Sequence, residues 1–391
     1  MNLENKKCLF LVQGEGRGHM TQSISMKQVL ESVGMEVCEV IIGKSDHREI
    51  PSFYAEKMKV RISTVHSPNM ALDKKNKKVK PFATSLKSAI WLPQYFKSLR
   101  VIHQKVKEHK PDIIVNFFEP LCGFYSMFYK SSVPIVSVAH HYMFLHSDYK
   151  MPKGYAVSSA SLKFYTWLTS FGSKKRLALS FYPFEDDSRR SIYIVPPLLR
   201  KEVLNYPTSN DNYLLVYLLN SGYCEEIIAW HRKNPDTEIH CFTDKKDMPE
   251  SEQFDANLTF HRLNDQKFLS LMANSKGVVT TSGFETVNEA MFMGKPVYLI
   301  PVEGHYEQFC NSQDALRTNL CMFGKKFEIS KFLDYIDNFN SDNTSYSDWV
   351  KKSGEYIVRN IYGLINKGGN VKQLYPESSA KQASRLKVKN I

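Results

Sequence analysis

No stretch of the 391 residues approaches the ~18–20 consecutive apolar residues that a membrane span needs. Cysteine is sparse and scattered. Cys8, Cys38, Cys122, Cys224, Cys241, Cys310 and Cys321 form no Cys-x-x-Cys pair, which argues against a zinc site and fits buried thiols in a reducing cytosol. No repeat of fixed period is present. The glycines of Gly14-x-Gly16-x-Gly18 miss the third spacing of the dinucleotide fingerprint, so no nicotinamide or flavin, and no other cofactor, is expected. No Asp-x-Asp sits where a metal would be needed, since Asp186-Asp187 falls in a loop of the first half. Metal ligands are therefore expected to be none. The N-terminus MNLENKKCLFLVQGEG holds only a short apolar run, a first strand rather than a secretion signal. The expected location is the cytoplasm, with the inner face of the membrane as a refinement.

Acidic residues are also in short supply. There are 40 Asp and Glu against 52 Lys and Arg, a net charge of +12. That surplus invites nucleic acid, an anionic membrane face or a phosphorylated ligand. Two basic clusters, Lys74–Lys80 and Ser384–Lys389, read more simply as a solvated loop and tail.

The composition, 42% apolar and 24% charged, is that of a globular protein. The length suggests two domains of about 150–200 residues each. Along the chain, short β-branched or apolar runs alternate with helical periodicity. Cys8–Val12 reads as a buried strand, then a Gly-rich turn to His19, then a helix over Met20–Val33 with Ile24, Met26, Val29, Leu30 and Val33 in register. Val37–Ile42, Val60–Val65, Pro111–Val115, Val133–Ala139, Ala178–Phe184 and Tyr193–Val195 read as further strands. Pro196-Pro197 and the polar stretch Asn205–Asn212 break the pattern. A second alternation follows from Tyr213. The predicted class is α/β: two Rossmann-like, doubly wound domains. The predicted boundaries are 1–204, 205–345, a closing helix over 346–366 and a basic disordered tail over 367–391.

Thr280–Ser312, TTSGFETVNEAMFMGKPVYLIPVEGHYEQFCNS, organises the second half. A strand ends at Ser282-Gly283. Val287, Ala290 and Met291 then mark a helix that Gly294 caps and Pro296 stops, and Val297–Ile300 is a second strand. Free N–H groups and the positive end of the helix dipole favour an anion at Ser282, Gly283, Phe284, Glu285 and Thr286. Glu289 lies one turn on, where a carboxylate can meet ribose hydroxyls. Glu307 and Gln308 follow the second strand and can grip a sugar. An ordinary capped βαβ unit explains the turn alone about as well.

The full string resembles the donor segment of GT-B glycosyltransferases, especially the families of UDP-glycosyltransferases and of the muramyl-lipid N-acetylglucosaminyl transferase. Gly283, Thr286, Glu289-Ala290, Gly294-Lys295-Pro296, Pro301, Glu307-Gln308 and Asn311 carry the resemblance. It implies a GT-B fold with the two domains facing across a cleft. The C-terminal domain would hold a UDP-sugar as substrate through Gly18, Asn220, Ser221, Gly222, Ser282–Thr286, Glu289, Glu307 and Gln308. It also implies that His19 is the catalytic base, and a neutral imidazole near pH 7 suits that role. Relatives orient this base with an Asp at the end of a strand. Phe117 stands there, so the nearest carboxylate, Glu119, is the expected substitute. His140 and His141, past the strand Val133–Ala139, are expected to line the acceptor crevice. Retaining members often place two Glu eight positions apart. Met293 and Val297 stand eight past Glu285 and Glu289, so inversion is expected.

The aromatic segment 82–101 (Phe82, Leu86, Ile90, Trp91, Tyr95, Phe96, Leu99), with Lys87, Lys97 and Arg100, points to a lipid-linked or apolar acceptor and to peripheral membrane contact. A core-facing helix pair fits it too. Two other classes stay open at this stage: a GT-B nucleotide-sugar 2-epimerase, and a basic nucleic-acid or membrane-binding module. Nucleic acid is not the expected partner, and no oligomeric state is legible.

Overall fold

The computed structural model describes residues 3–45, 49–68, 92–218, 221–245, 247–340 and 342–366. Lys74–Lys80, residues 82–91 and the tail from 367 lie outside these residues. Strands β1 (Lys7–Gln13), β2 (Glu36–Lys44), β3 (Ile62–His66), β4 (Ile113–Phe117), β5 (Ile135–Ala139), β6 (Lys175–Leu179) and β7 (Ile192–Val195) form one sheet. Its order is β3-β2-β1-β4-β5-β6-β7, all parallel. A parallel sheet is covered on both faces, so its strands read as unbroken apolar runs. β4 and β5 are buried at every position, and Phe10 of β1 packs edge-on against Phe117 of β4, centroids 5.1 Å apart. Helices α1 (Arg17–Glu31), α2 (Ser52–Met58), α3 (Leu92–His109), α4 (Pro120–Tyr129), α5 (Ala156–Thr169) and α6 (Lys201–Leu204) connect or follow these strands.

The second sheet takes the order β10-β11-β9-β8-β12-β13-β14. Its strands are β8 (Tyr213–Tyr217), β9 (Glu238–Thr243), β10 (Ser251–Gln253), β11 (Leu258–Arg262), β12 (Gly277–Thr280), β13 (Val297–Leu299) and β14 (Cys321–Phe323). Only β10 runs antiparallel, against β11. Helices α7 (Cys224–His231), α8 (Asp265–Asn274), α9 (Phe284–Phe292), α10 (Tyr306–Ala315) and α11 (Ile329–Asp337) belong to this half. Gly294, at φ +73°, follows α9 in the left-handed conformation that ends helices.

The strand expected over Ala178–Phe184 begins earlier and ends at Leu179. Lys175 and Arg176 hid its start because both side chains have polar partners: Lys175 reaches Asn360 and Arg176 reaches Ser170. The closing helix divides into α12 (Thr344–Lys351) and α13 (Ser353–Ile365). The division falls beside Ser353-Gly354, residues of modest helix propensity. Both pieces cross back to the first sheet. Trp349 Nε1–H donates to the Ser180 carbonyl at 2.9 Å, and Lys175 Nζ donates to Asn360 Oδ1 at 2.9 Å.

In open α/β sheets, ligands gather beyond the carboxyl ends of the strands, where the strand order reverses. Those points are β1/β4 in the first sheet and β8/β12 in the second. Phe118, just past β4, has φ +59°, and Ser282, just past β12, has φ +62°. Neither is glycine. Both switch points thus hold a non-glycine residue in left-handed backbone, a conformation that concentrates at functional sites.

Candidate active site

His19 stands in the first turn of α1, partly exposed. Its ring lies 5.3 Å from Phe118, nearly parallel at 24°, and 5.7 Å from His141. Phe118 in turn stacks on His141 at 3.8 Å. The left-handed backbone of Phe118 thus places an aromatic plate against both imidazoles. Burial, then the neighbouring His141, push the His19 pKa down to about 4, against weaker pulls from Gln22 and Glu307. His19 is therefore neutral at pH 7. Its Nδ1 lies 3.2 Å from Gln22 Oε1, and its Nε2 has no hydrogen-bond partner among the described residues.

Glu119 does not touch His19. It caps α4: its Oε1 accepts the Leu121 N–H at 3.0 Å and the Ser67 hydroxyl. It fits only because residue 43 is glycine, since a Cβ there would come within 2.0 Å of Glu119 Oε2. Burial pushes its carboxyl up to about 7. The expected orienting carboxylate is therefore a helix cap.

His140 also leaves the crevice. It is 2% exposed; Nδ1 bonds the Leu179 carbonyl at 2.7 Å, and its ring stacks on Phe284 at 4.3 Å. Burial lowers its pKa to about 3. His141 stays at the site. Its Nε2 meets Glu307 Oε1 at 3.0 Å, which joins the two domains. Burial alone would raise the Glu307 carboxyl. The His141 charge and hydrogen bond, with His305 and His19, hold it well below the usual range.

On the donor side, Gly283 is the N-cap of α9, and no side chain caps its free N–H groups. Around that end, Thr281 Oγ1, Ser282 Oγ and Asn311 Oδ1 are buried and have no hydrogen-bond partner. Asn311 Nδ2 donates to the Ser282 carbonyl at 3.3 Å. Space opens beyond Gly283, where an added Cβ would meet nothing within 4 Å. The Thr286 hydroxyl, half-buried in the same turn, is unpartnered among the described residues. Buried polar atoms without partners are uncommon, and here they surround a helix N-terminus suited to an anion.

Four expected donor contacts point elsewhere. Phe284 crosses to the first domain and packs on His140 and Phe181. Glu285 accepts from Gln22 Nε2 at 2.7 Å, passing over Gly18, whose missing side chain leaves Glu285 Cγ 3.3 Å from a built Cβ. Glu289, 3% exposed, accepts at Oε1 from Arg200 Nε at 2.9 Å and Nη2 at 2.6 Å. Gln308 Oε1 accepts the Val302 N–H at 2.8 Å and shapes the loop before α10. Ser221 and Gly222 lie in a short 3-10 turn, Ser221–Tyr223, after β8, and Asn220 lies outside the described residues.

Residues that the sequence reading missed include Gln22, Phe118, Tyr165 and Thr281. Gln22 carried a signal: three residues past His19 on a helix, it shares the same face. Tyr165 of α5 sits edge-on to Phe118 at 5.7 Å and accepts from Gln13 Nε2 at 3.3 Å.

The two Rossmann-like sheets define the GT-B fold class, with a histidine at one switch point and an uncapped helix N-terminus at the other. The comparison with known families agrees. The chain belongs to glycosyl transferase family 1, whose profile matches residues 6–339. It is a glycosyltransferase, and the match does not favour the epimerase alternative. No curated protein matches the chain in sequence. Among solved structures it is similar to the glycotransferase of kitacinnamycin: TM-score 0.61, 12% identity, 92% of this chain and 99% of that one. It is also similar to Phytolacca americana UGT2, complexed with UDP-2-fluoro-glucose and pterostilbene: 0.56, 12%, 97% and 100%. Acinetobacter baumannii MurG is a third: 0.52, 13%, 91% and 99%. At these identities the likeness is one of fold. No helix among the described residues is long and apolar enough to cross a membrane.

Proposed function

We propose that the chain moves a sugar from a UDP-sugar to an acceptor hydroxyl, with inversion and without a metal, and that His19 is the base. The acceptor oxygen gives its proton to His19 Nε2 and bonds to the anomeric carbon as the bond to UDP breaks. Negative charge then grows on the diphosphate. The N–H groups of α9 and the hydroxyls of Thr281, Ser282 and Thr286 are the donors suited to stabilise it. The observation that carries this reading is the set of unpartnered buried atoms Thr281 Oγ1, Ser282 Oγ and Asn311 Oδ1 around that helix end. The UDP-2-fluoro-glucose complex of the Phytolacca structure supports the choice of nucleotide. A thermal-shift screen of nucleotides with and without EDTA tests it, because a ligand of the folded state raises the melting temperature. UDP should stabilise in both conditions. Stabilisation by UDP only with a divalent cation would overturn the metal-free reading.

For the acceptor we infer an apolar or lipid-linked molecule met at a membrane face. Phe96 is 47% exposed, Phe128 57%, Phe164 63% and Trp167 39%. They lie on the neighbouring helices α3, α4 and α5. Exposed Lys97, Arg100 and Lys130 accompany them, the pairing of apolar and basic groups that suits an anionic bilayer. Helix α5 carries Phe164 and Trp167 outward and Tyr165 toward the site, so this surface adjoins the cleft. Sedimentation with phosphatidylglycerol vesicles tests the surface. Phe164→Ser with Trp167→Ser should lose binding, and unchanged binding would remove the membrane face from the reading.

A further inference from the structure

Among the described residues no carboxylate bonds His19, yet His19 has a partner. Gln22 lies one turn along α1, is 3% exposed, and turns its Oε1 to His19 Nδ1 at 3.2 Å. Its Nε2 donates to Glu285 Oε1 at 2.7 Å. Glu285 belongs to the first turn of α9, in the other domain. An amide oxygen can only accept, so this contact requires the proton on Nδ1. Which imidazole nitrogen carries the proton is set by the partner of the other.

We propose that Gln22 is the positioning residue for His19, and that Glu285, reaching across from the donor domain, fixes the Gln22 amide so that the base is aligned only when the two domains are closed. The proposal rests on His19 as base. With the proton on Nδ1, Nε2 keeps a free lone pair for the acceptor hydroxyl. When Nε2 takes that proton, the imidazolium continues to donate from Nδ1 to the Gln22 oxygen, and no other atom needs to move. If Glu285 withdraws, Gln22 can turn its NH2 toward His19. That arrangement requires Nδ1 to accept, moves the proton to Nε2 and disables the base.

The geometry ties this to closure. Gln22 and His19 share one helix, so their contact can survive opening, whereas Gln22 and Glu285 sit in different domains and separate. Gly18 lies beneath the crossing, with its built Cβ 3.3 Å from Glu285 Cγ, so a larger residue would crowd the contact. Burial pushes the Glu285 carboxyl up to about 8. A carboxyl carbonyl oxygen accepts in either protonation state, so the amide orientation holds on both sides of that value. The other charged or titratable groups facing His19 are His141 and Glu307, from beyond β5 and from α10. Closure that completes a catalytic arrangement is a known route to committing substrate before chemistry.

The test reads the imidazole directly. The full chain is labelled with 15N-histidine, the His19 signals are assigned by their loss in His19→Ala, and tautomer and pKa are followed by NMR titration. Native protein should show the Nδ1–H tautomer and a pKa depressed below that of free histidine. Gln22→Ala should lose the single tautomer, and Glu285→Ala should lose it in part. Gln22→Glu should raise the His19 pKa by about one unit or more, since an adjacent carboxylate favours the charged ring. A purely structural Gln22 predicts a lower melting temperature with tautomer and pKa unmoved. A His19 that keeps the Nδ1–H tautomer in both Gln22→Ala and Glu285→Ala overturns the proposal. Failure of His19 as base would register separately, as native UDP release from UDP-glucose by His19→Ala.

Discussion

His141 of the first domain meets Glu307 of the second at 3.0 Å. The contact ties the short 3-10 helix His140–Leu145, which follows β5, to the first turn of α10, beside the ring cluster of His19 and Phe118. Both side chains are largely withdrawn from water, at 9% and 27% exposed. Because the partners lie in different domains, the pair links the two sides of the cleft. A double-mutant cycle with His141→Asn and Glu307→Gln, followed by chemical denaturation, should show coupling of about 0.5–3 kcal/mol. Additive effects would mean that the contact contributes nothing to stability.

Arg200 and Glu289 form a second link between the halves. Their side chains are each 4% exposed, and Arg200 also pairs with Asp265. Lys57 of α2 joins at 3.0 Å from Asp265. Breaking a buried pair leaves an uncompensated charge, a cost of about 3–5 kcal/mol. Arg200→Met should therefore destabilise by that order in urea denaturation. Adding Glu289→Leu should restore much of the loss, because the stranded carboxylate is gone. A single variant costing less than about 1 kcal/mol, the range of exposed pairs, would refute the buried-network account.

Glu119 offers a pH test. Its folded pKa, about 7, stands above the ordinary 4.5, because burial outweighs the hydrogen bonds from Ser67 and Leu121. A group whose folded value is raised contributes stability below its unfolded value and loses it as pH rises through the folded one. The window is thus about 4.5 to 7. Glu119→Gln keeps an oxygen for the cap and has no proton to lose. Its melting temperature relative to native should rise between pH 5 and pH 8, with turnover near native. A pH-independent difference would contradict the burial argument.

Much of the fold was legible because parallel strands announce themselves. β1, β4, β5, β8 and β12 are apolar runs, and Gly294-Lys295-Pro296 punctuates the end of α9 as a helix stop should. The sequence of α4, PLCGFYSMFY, is apolar on every side and shows no helical period, and Pro120 at its first position is its one start signal, since the Glu119 that caps it is not a usual cap residue. Motif and turn chemistry singled out His19 and the turn Ser282–Thr286, and the structure sets them just past β1 and β12, at the two switch points. What the sequence could not convey was pairing across the cleft. Phe284, Glu285 and Glu289 all lie on α9, yet each is taken by a residue 89 or more positions away: His140, Gln22 and Arg200 respectively. Such partners follow from how the domains meet, and local periodicity carries no trace of that.

His19 is where the mechanism is decided. His19→Ala should leave UDP binding nearly intact, because the unpartnered donors lie around α9 in the other domain. Turnover should fall by roughly 10²–10⁴, the usual contribution of a positioned base. The pH profile gives an independent check. A base must be deprotonated to act, and burial beside His141 lowers the His19 pKa from 6.5 to about 4. The acid limb of kcat/KM should therefore lie near pH 4, with activity flat from about pH 5 to neutrality. A limb near 6.5 would mean that the ring is solvated in the working enzyme. The depressed pKa also bears on stability: the unfolded chain binds a proton between pH 6.5 and 4 that the folded one does not, so His19 contributes stability above 6.5 that is lost as pH falls. His19→Ala should lose less stability than native over that interval. If the variant keeps native turnover, the base lies elsewhere, and His141 Nδ1, buried and unpartnered beside the same Phe118 plate, is the atom to test next.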